Sequence, residues 1–194
     1  MLKFLPLMFA LACNSCGPAE LKTSVDTAPE VPEDPYPWAT WETCAHNIGD
    51  NPCNFSLMDQ HGNEVELYEQ KGKVIILDFS VMWCGPCNAI APIADEWTEL
   101  YGEDNFVWLT ILVEDSAGGP IDMSDLQTWA TTHGTAVPVL AGSRDLIDVT
   151  EPLTDGYPIT AWPTLVVIDQ DMTIYAGMNG FSQSQIQAWV ASLL

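Results

Sequence analysis

The sequence predicts an α/β domain, and three observations carry that expectation. An apolar run at residues 74–79 leads straight into a helix-forming segment that begins at Gly85, so a buried strand feeds a helix. Apolar runs at 106–113 and 137–141 are separated by an amphipathic segment at 123–133, which repeats the order strand, helix, strand. After a Pro- and acid-rich beginning, about 150 residues are left, which suits one domain with a single core.

In chain order, the first element is an export signal. Met1-Leu2-Lys3 is a short positive start, and residues 4–12 are apolar apart from one proline, too short a run to cross a bilayer. Ala10-Leu11-Ala12-Cys13 resembles a bacterial lipoprotein signal, which implies a signal peptide at 1–12 and lipidation of Cys13. Cys16 is a second candidate, and plain secretion with cleavage nearby is the alternative. Asn14 after the lipidation site suggests the outer membrane by the sorting rules of such lipoproteins. Residues 13–40 then read as anchor and tether: Pro18, Pro29, Pro32, Pro35 and Pro37 lie among Glu, Asp, Ser and Thr, a composition that cannot build a core. In polyproline geometry the stretch from Gly17 to Thr40 reaches roughly 70 Å. The globular domain is expected at 41–194.

Six cysteines fit an oxidising compartment. With Cys13 and Cys16 in the anchor region and Cys84 and Cys87 paired by spacing, Cys44 and Cys53 remain. They flank a loop containing Gly49, Asp50, Asn51 and Pro52, and a structural disulfide closing it is expected, worth about 2 to 3 kcal/mol. Alternatively, one of them exchanges with the active pair and makes the protein a relay.

The segment Trp83-Cys84-Gly85-Pro86-Cys87 carries the chemistry. At a strand-to-helix junction, Cys84 lies at the helix N-terminus, where unpaired N–H groups and the dipole favour a thiolate. Cys87 follows about one turn later on the same face and can resolve a mixed disulfide. Pro86 suits the first turn, and Gly85 lets another chain approach closely. A zinc site would need further ligands, and His46, His61 and His133 are scattered, so no metal is expected. A purely structural disulfide is the other competing reading.

The stretch resembles thioredoxin. Ile76-Leu77-Asp78-Phe79 before the motif and Asn88-Ala89-Ile90-Ala91-Pro92 after Cys87 are similar to that family's central strand and kinked active-site helix. Upstream, Asn54-Phe55-Ser56-Leu57, Asp59-Gln60-His61-Gly62 and Gly72-Lys73-Val74 resemble the N-terminal hairpin of exported, membrane-tethered thioredoxin-like proteins and peroxiredoxin relatives. The resemblance covers residues 53–194. It implies a thioredoxin-like α/β fold, with a central mixed β-sheet flanked by helices, an N-terminal hairpin extension and an inserted helix within 114–135. It also implies a thiol-disulfide oxidoreductase with no cofactor beyond its redox-active disulfide.

Asp78 lies within an apolar strand, where a carboxylate is expensive to bury and its pKa should rise. The resemblance makes it the proton acceptor for Cys87; a strand-end aspartate facing solvent is the alternative. The segment from Ala161 to Asp169 reads as a turn entering a buried strand. The resemblance implies a cis Pro163 that faces the dithiol and leaves the preceding backbone free to pair with an extended substrate; an ordinary trans proline is the alternative. Two residues depart from thioredoxin: Trp162 replaces a smaller residue and should reshape the substrate groove, and Asn88 stands where lysine is common. Trp83 and Trp162 are expected to flank the dithiol groove. A short edge strand at 173–176 and a final helix at 182–194, capped by Ser182, complete the expected fold.

Five Lys and Arg against 27 Asp and Glu give a formal charge of −22. Nucleic acid is excluded as a partner, and so is electrostatic attachment to anionic headgroups. The expected protein is a monomeric, lipid-anchored oxidoreductase of the bacterial cell envelope that exchanges disulfides with exported proteins and draws electrons from a membrane donor. Reduction is the direction the resemblance implies. A copper chaperone using the dithiol with Met82 or a histidine, and a thiol peroxidase, are the alternatives.

Overall fold

In the computed structural model, residues 33–147 and 156–194 are described. In chain order the elements are β1 (Ser56–Met58), β2 (Glu64–Glu66), β3 (Val74–Ser80), α1 (Gly85–Tyr101), β4 (Phe106–Leu112), α2 (Met123–His133), β5 (Val139–Ala141), β6 (Thr164–Ile168), β7 (Ile174–Asn179) and α3 (Gln183–Leu193). The main sheet has the order β5-β4-β3-β6-β7. β3 runs parallel to β4 and antiparallel to β6, so the sheet is mixed, as a thioredoxin-like fold requires. β1 and β2 form the antiparallel hairpin, and a bridge from Asp59 to Leu140 ties it to β5.

β3 is the centre of the molecule because all seven of its residues are buried. Successive side chains of a strand point to opposite faces, so its apolar run supplies two cores. Val74 and Ile76 pack with Ile90, Ala94 and Trp97 of α1 and with Ile186 and Val190 of α3. Ile75, Leu77 and Phe79 pack on the other face with Leu126 and Trp129 of α2. Each such side chain, fully buried, contributes about 1.5–3 kcal/mol, which is what fixes the strand's register.

α2 has the boundaries expected of it. Asp122 accepts from the N–H groups of Ser124 and Asp125, the Asp125 carboxylate accepts from the Asp122 N–H, and Gly134 ends the helix in the left-handed region. Other boundaries differ. β5 begins at Val139 because Pro138 has no N–H for the ladder, and the Val137 carbonyl accepts instead from Gln60 Nε2 at 3.0 Å. β7 begins later and runs on to Asn179, pairing Gly177 with Val166, so glycine does not end it. Ser182 precedes α3, but its side chain makes no capping hydrogen bond.

The compact unit begins at Tyr36, before the expected end of the tether. Tyr36 and Trp41 pack edge-on against Tyr68 and Trp38 packs tilted against it, with centroid separations of 5.5, 5.7 and 5.1 Å. These aromatics offset the proline-rich composition that hides them. Cys44 and Cys53 are joined in a disulfide. Among the described residues no helix is long and apolar enough to cross a membrane. The expected signal at 1–12 and the cysteines at 13 and 16 lie outside the described residues.

Candidate active site

The end of β3 and the start of α1 bring the two sulfurs together. Cys84 and Cys87 form a disulfide with their Cα atoms 5.3 Å apart; Cys87 is fully buried and Cys84 is 5% exposed. Cys84 is the N-cap of α1, and its Sγ accepts the Cys87 N–H at 3.2 Å. A thiolate formed there on reduction meets the helix dipole and a backbone donor, both of which favour it. Gly85 and Pro86 are exposed, and a side chain at Gly85 would meet open space, so the motif leaves room for another chain.

Asn88 does work of a different kind from a lysine. Its Nδ2 donates to the carbonyls of Cys84 at 2.7 Å and Met82 at 3.0 Å, and its Oδ1 lies 3.1 Å from His133 Nε2. The active-site loop is thereby held to the end of α2. Burial lowers the pKa of His133, which favours the neutral ring.

Asp78 is fully buried, so the solvent-facing alternative does not apply. It shares the β3 face of Val74 and Ile76, the face α1 covers. Its Oδ1 accepts from Ser80 Oγ at 2.7 Å, while Oδ2 has no hydrogen-bond partner among the described residues. Burial pushes its pKa up to about 6, against the opposing pull of Ser80, Trp108 and Thr110. A carboxyl so poised can exchange a proton near neutral pH.

The Trp162–Pro163 peptide bond is cis, and the Pro163 carbonyl accepts from Gly180 N–H at 2.6 Å. Trp162 is half-buried and packs against the cluster that contains both Cys84 and Cys87. Trp83 is 52% exposed, and its indole N–H donates to Glu114 Oε2 at 2.8 Å. Glu114 also pairs with Arg144. The sequence reading missed Glu114, Arg144 and the contact of His133. A charge directly after an apolar strand and the chain's only arginine were the available signals. His46 and His61 stand elsewhere, the first stacked on Tyr157 and the second in the hairpin turn. Among the described residues no group of three His, Cys, Asp or Glu is placed to hold a metal ion.

Residues 48–176 match the AhpC/TSA family. The chain belongs to that family. This AhpC/TSA family member is 29% identical over 126 residues to the thiol-disulfide oxidoreductase ResA of Bacillus anthracis, covering 64% of this chain and 65% of that protein. It spans only 38% to 52% of the length of the curated thioredoxins it also matches. Among solved structures, a thiol:disulfide interchange protein of the thioredoxin family from Chlorobium tepidum TLS is similar with a TM-score of 0.61 and 23% identity, over 77% of this chain and 99% of that one. The pneumococcal exposed lipoprotein thioredoxin from Streptococcus pneumoniae strain TIGR4 is similar with a TM-score of 0.55 and 28% identity, over 73% of this chain and all of its own.

Proposed function

We propose that this AhpC/TSA family member is a thiol-disulfide oxidoreductase of the bacterial cell envelope that reduces disulfides in exported proteins. The observation that carries the reading is the placement of Cys84 as N-cap of α1, with Cys87 buried one turn behind it. The Cys84 thiolate attacks one sulfur of the client disulfide; a Cys84–client bond forms and the other client sulfur leaves as a thiolate. Cys87 gives its proton to Asp78 and attacks Cys84 Sγ. The Cys84–Cys87 bond forms, and the second client sulfur leaves. The client gains two electrons, and the oxidised protein is returned to the dithiol by a membrane donor of dithiol class.

Pro163 and the backbone before it dock the client strand, with Trp83 and Trp162 as walls and Gly85 and Pro86 as floor. Ala10-Leu11-Ala12-Cys13 supports export and lipidation, with the residues from Cys13 to Pro35 as tether to a monomeric domain that begins at Tyr36; the name of the pneumococcal relative points the same way. Replacing Cys13 by Ala is expected to abolish incorporation of a fatty-acid label and to release the protein from the membrane fraction.

The deciding experiment is Cys87→Ser in native envelope extract. The variant should accumulate mixed disulfides on Cys84, seen on non-reducing gels and dissolved by reductant. If Cys84 still alkylates but no client is trapped, the reading fails.

A further inference from the structure

A line of four side chains runs from the residue before Cys84 to the residue before Pro163. Trp83, directly before Cys84, donates its indole N–H to Glu114 Oε2 at 2.8 Å. The other oxygen, Oε1, takes Nη2 of Arg144 in an ion pair. Arg144 stands over the ring of Trp162, its Cζ 6.0 Å from the centroid, and Trp162 directly precedes Pro163. One carboxylate therefore connects the residue before the first cysteine to the cation that covers the residue before the docking proline.

The fold positions the two charged members of the line. Glu114 follows β4, is 8% exposed, and its carbonyl accepts Met82 N–H at 3.0 Å, so backbone and side chain both hold the Trp83 loop. Arg144 arrives on the turn after β5. There Gly142 N–H donates to Leu112 O at 2.8 Å, and a Cβ at Gly142 would come within 2.6 Å of Ile111, so the close approach needs glycine. Ser143 Oγ then accepts Asp145 N–H at 3.2 Å and sets the short turn Arg144–Leu146. A carboxylate as buried as Glu114 is costly unless donors satisfy it, and here the indole and the guanidinium do. Guanidinium suits the position because its edge can meet a carboxylate while its plane lies on an indole; an ammonium lacks that plane. The chain's only arginine is used here, although its formal charge is −22.

We propose that Glu114 and Arg144 are positioning residues that clasp the two tryptophan walls of the client groove and select clients with an apolar residue beside the reactive cysteine. The charges of the clasp neutralise each other, and the surface left to the client's neighbouring side chain is indole, with Trp83 52% exposed. This inference rests on the thiol-exchange reading above.

The test compares two disulfides as oxidants of the reduced, purified protein: a peptide pair with Phe beside the cysteine, and 2-hydroxyethyl disulfide, which has no side chain for the walls. Arg144→Met should raise KM for the Phe peptide about tenfold, with a much smaller loss in kcat and in the rate toward the small disulfide. In ¹H–¹⁵N spectra the Trp83 indole resonance, assigned with Trp83→Phe, should move in both Arg144→Met and Glu114→Gln. Should Glu114→Gln not fold, Arg144→Met carries the test, because the Arg144 side chain is 56% exposed. Unchanged peptide KM, or equal loss on both disulfides, with the wild type active overturns the clasp alone. A wild type that reduces neither disulfide overturns the thiol-exchange reading and the clasp with it.

Discussion

At Asp78 a single side chain trades stability for chemistry. Its folded pKa is raised to about 6 from 3.8 by burial, so between those values the folded protein holds a proton that the unfolded chain releases. Stability is therefore greatest below pH 3.8 as far as this group is concerned, falls as pH rises through about 6, and is reduced above that by about 3 kcal/mol. Asp78→Asn keeps the shape and the acceptor for Ser80 but cannot ionise. Urea unfolding of the oxidised variant should show it more stable than wild type by about 3 kcal/mol at pH 7.5 and nearly equal at pH 3.5. The same variant should release a trapped client from Cys84 roughly a hundredfold more slowly, read by quenched-flow gels. A variant that is no more stable at pH 7.5 would mean that water reaches Asp78. Normal release would take the proton from Cys87 elsewhere.

Among the elements, the loop at 45–52 buries only His46 and Pro52. It rests on β7 through Gly49 N–H to Ile174 O at 2.8 Å and Ile174 N–H to Asp50 O at 2.9 Å, and the Cys44–Cys53 bond closes it. Replacing both cysteines by Ala should cost about 2 to 3 kcal/mol in denaturant unfolding while leaving Cys84 alkylation after reduction unaltered. If alkylation or exchange failed too, the pair would belong to the relay instead of the scaffold. Which elements were legible follows from whether their signals are local. α2 announces itself through Asp122, Asp125 and Gly134, and the dithiol through five consecutive residues. The run of β7 past Gly177 was hidden, because pairing with β6 overrides glycine's weak preference. Glu114 meets Arg144, and Asn88 meets His133, across 30 and 45 residues of chain, so their spacing carried no pattern. Asp78 was half legible: its place in an apolar run implied cost, but only the cover of α1 settles which face it takes.

For the molecule as a whole, charge is the term the fold least controls. With five cations against 27 carboxylates, few ion pairs can form. Two effects of salt then compete. Screening weakens attraction such as that between Glu114 and Arg144, and it weakens repulsion spread over a net charge of −22. The attraction is local and largely shielded from solvent on the Glu114 side, whereas the repulsion acts across exposed surface, so screening removes more repulsion than attraction. Raising NaCl from about 0.01 M to about 1 M shortens the Debye length from about 30 to about 3 Å. The urea midpoint should therefore rise with salt. Because a basic client is steered by the same field, its rate of mixed-disulfide formation on Cys84 should fall over that range while that of an uncharged client stays level. A midpoint that falls with salt would show that surface pairs outweigh the net charge.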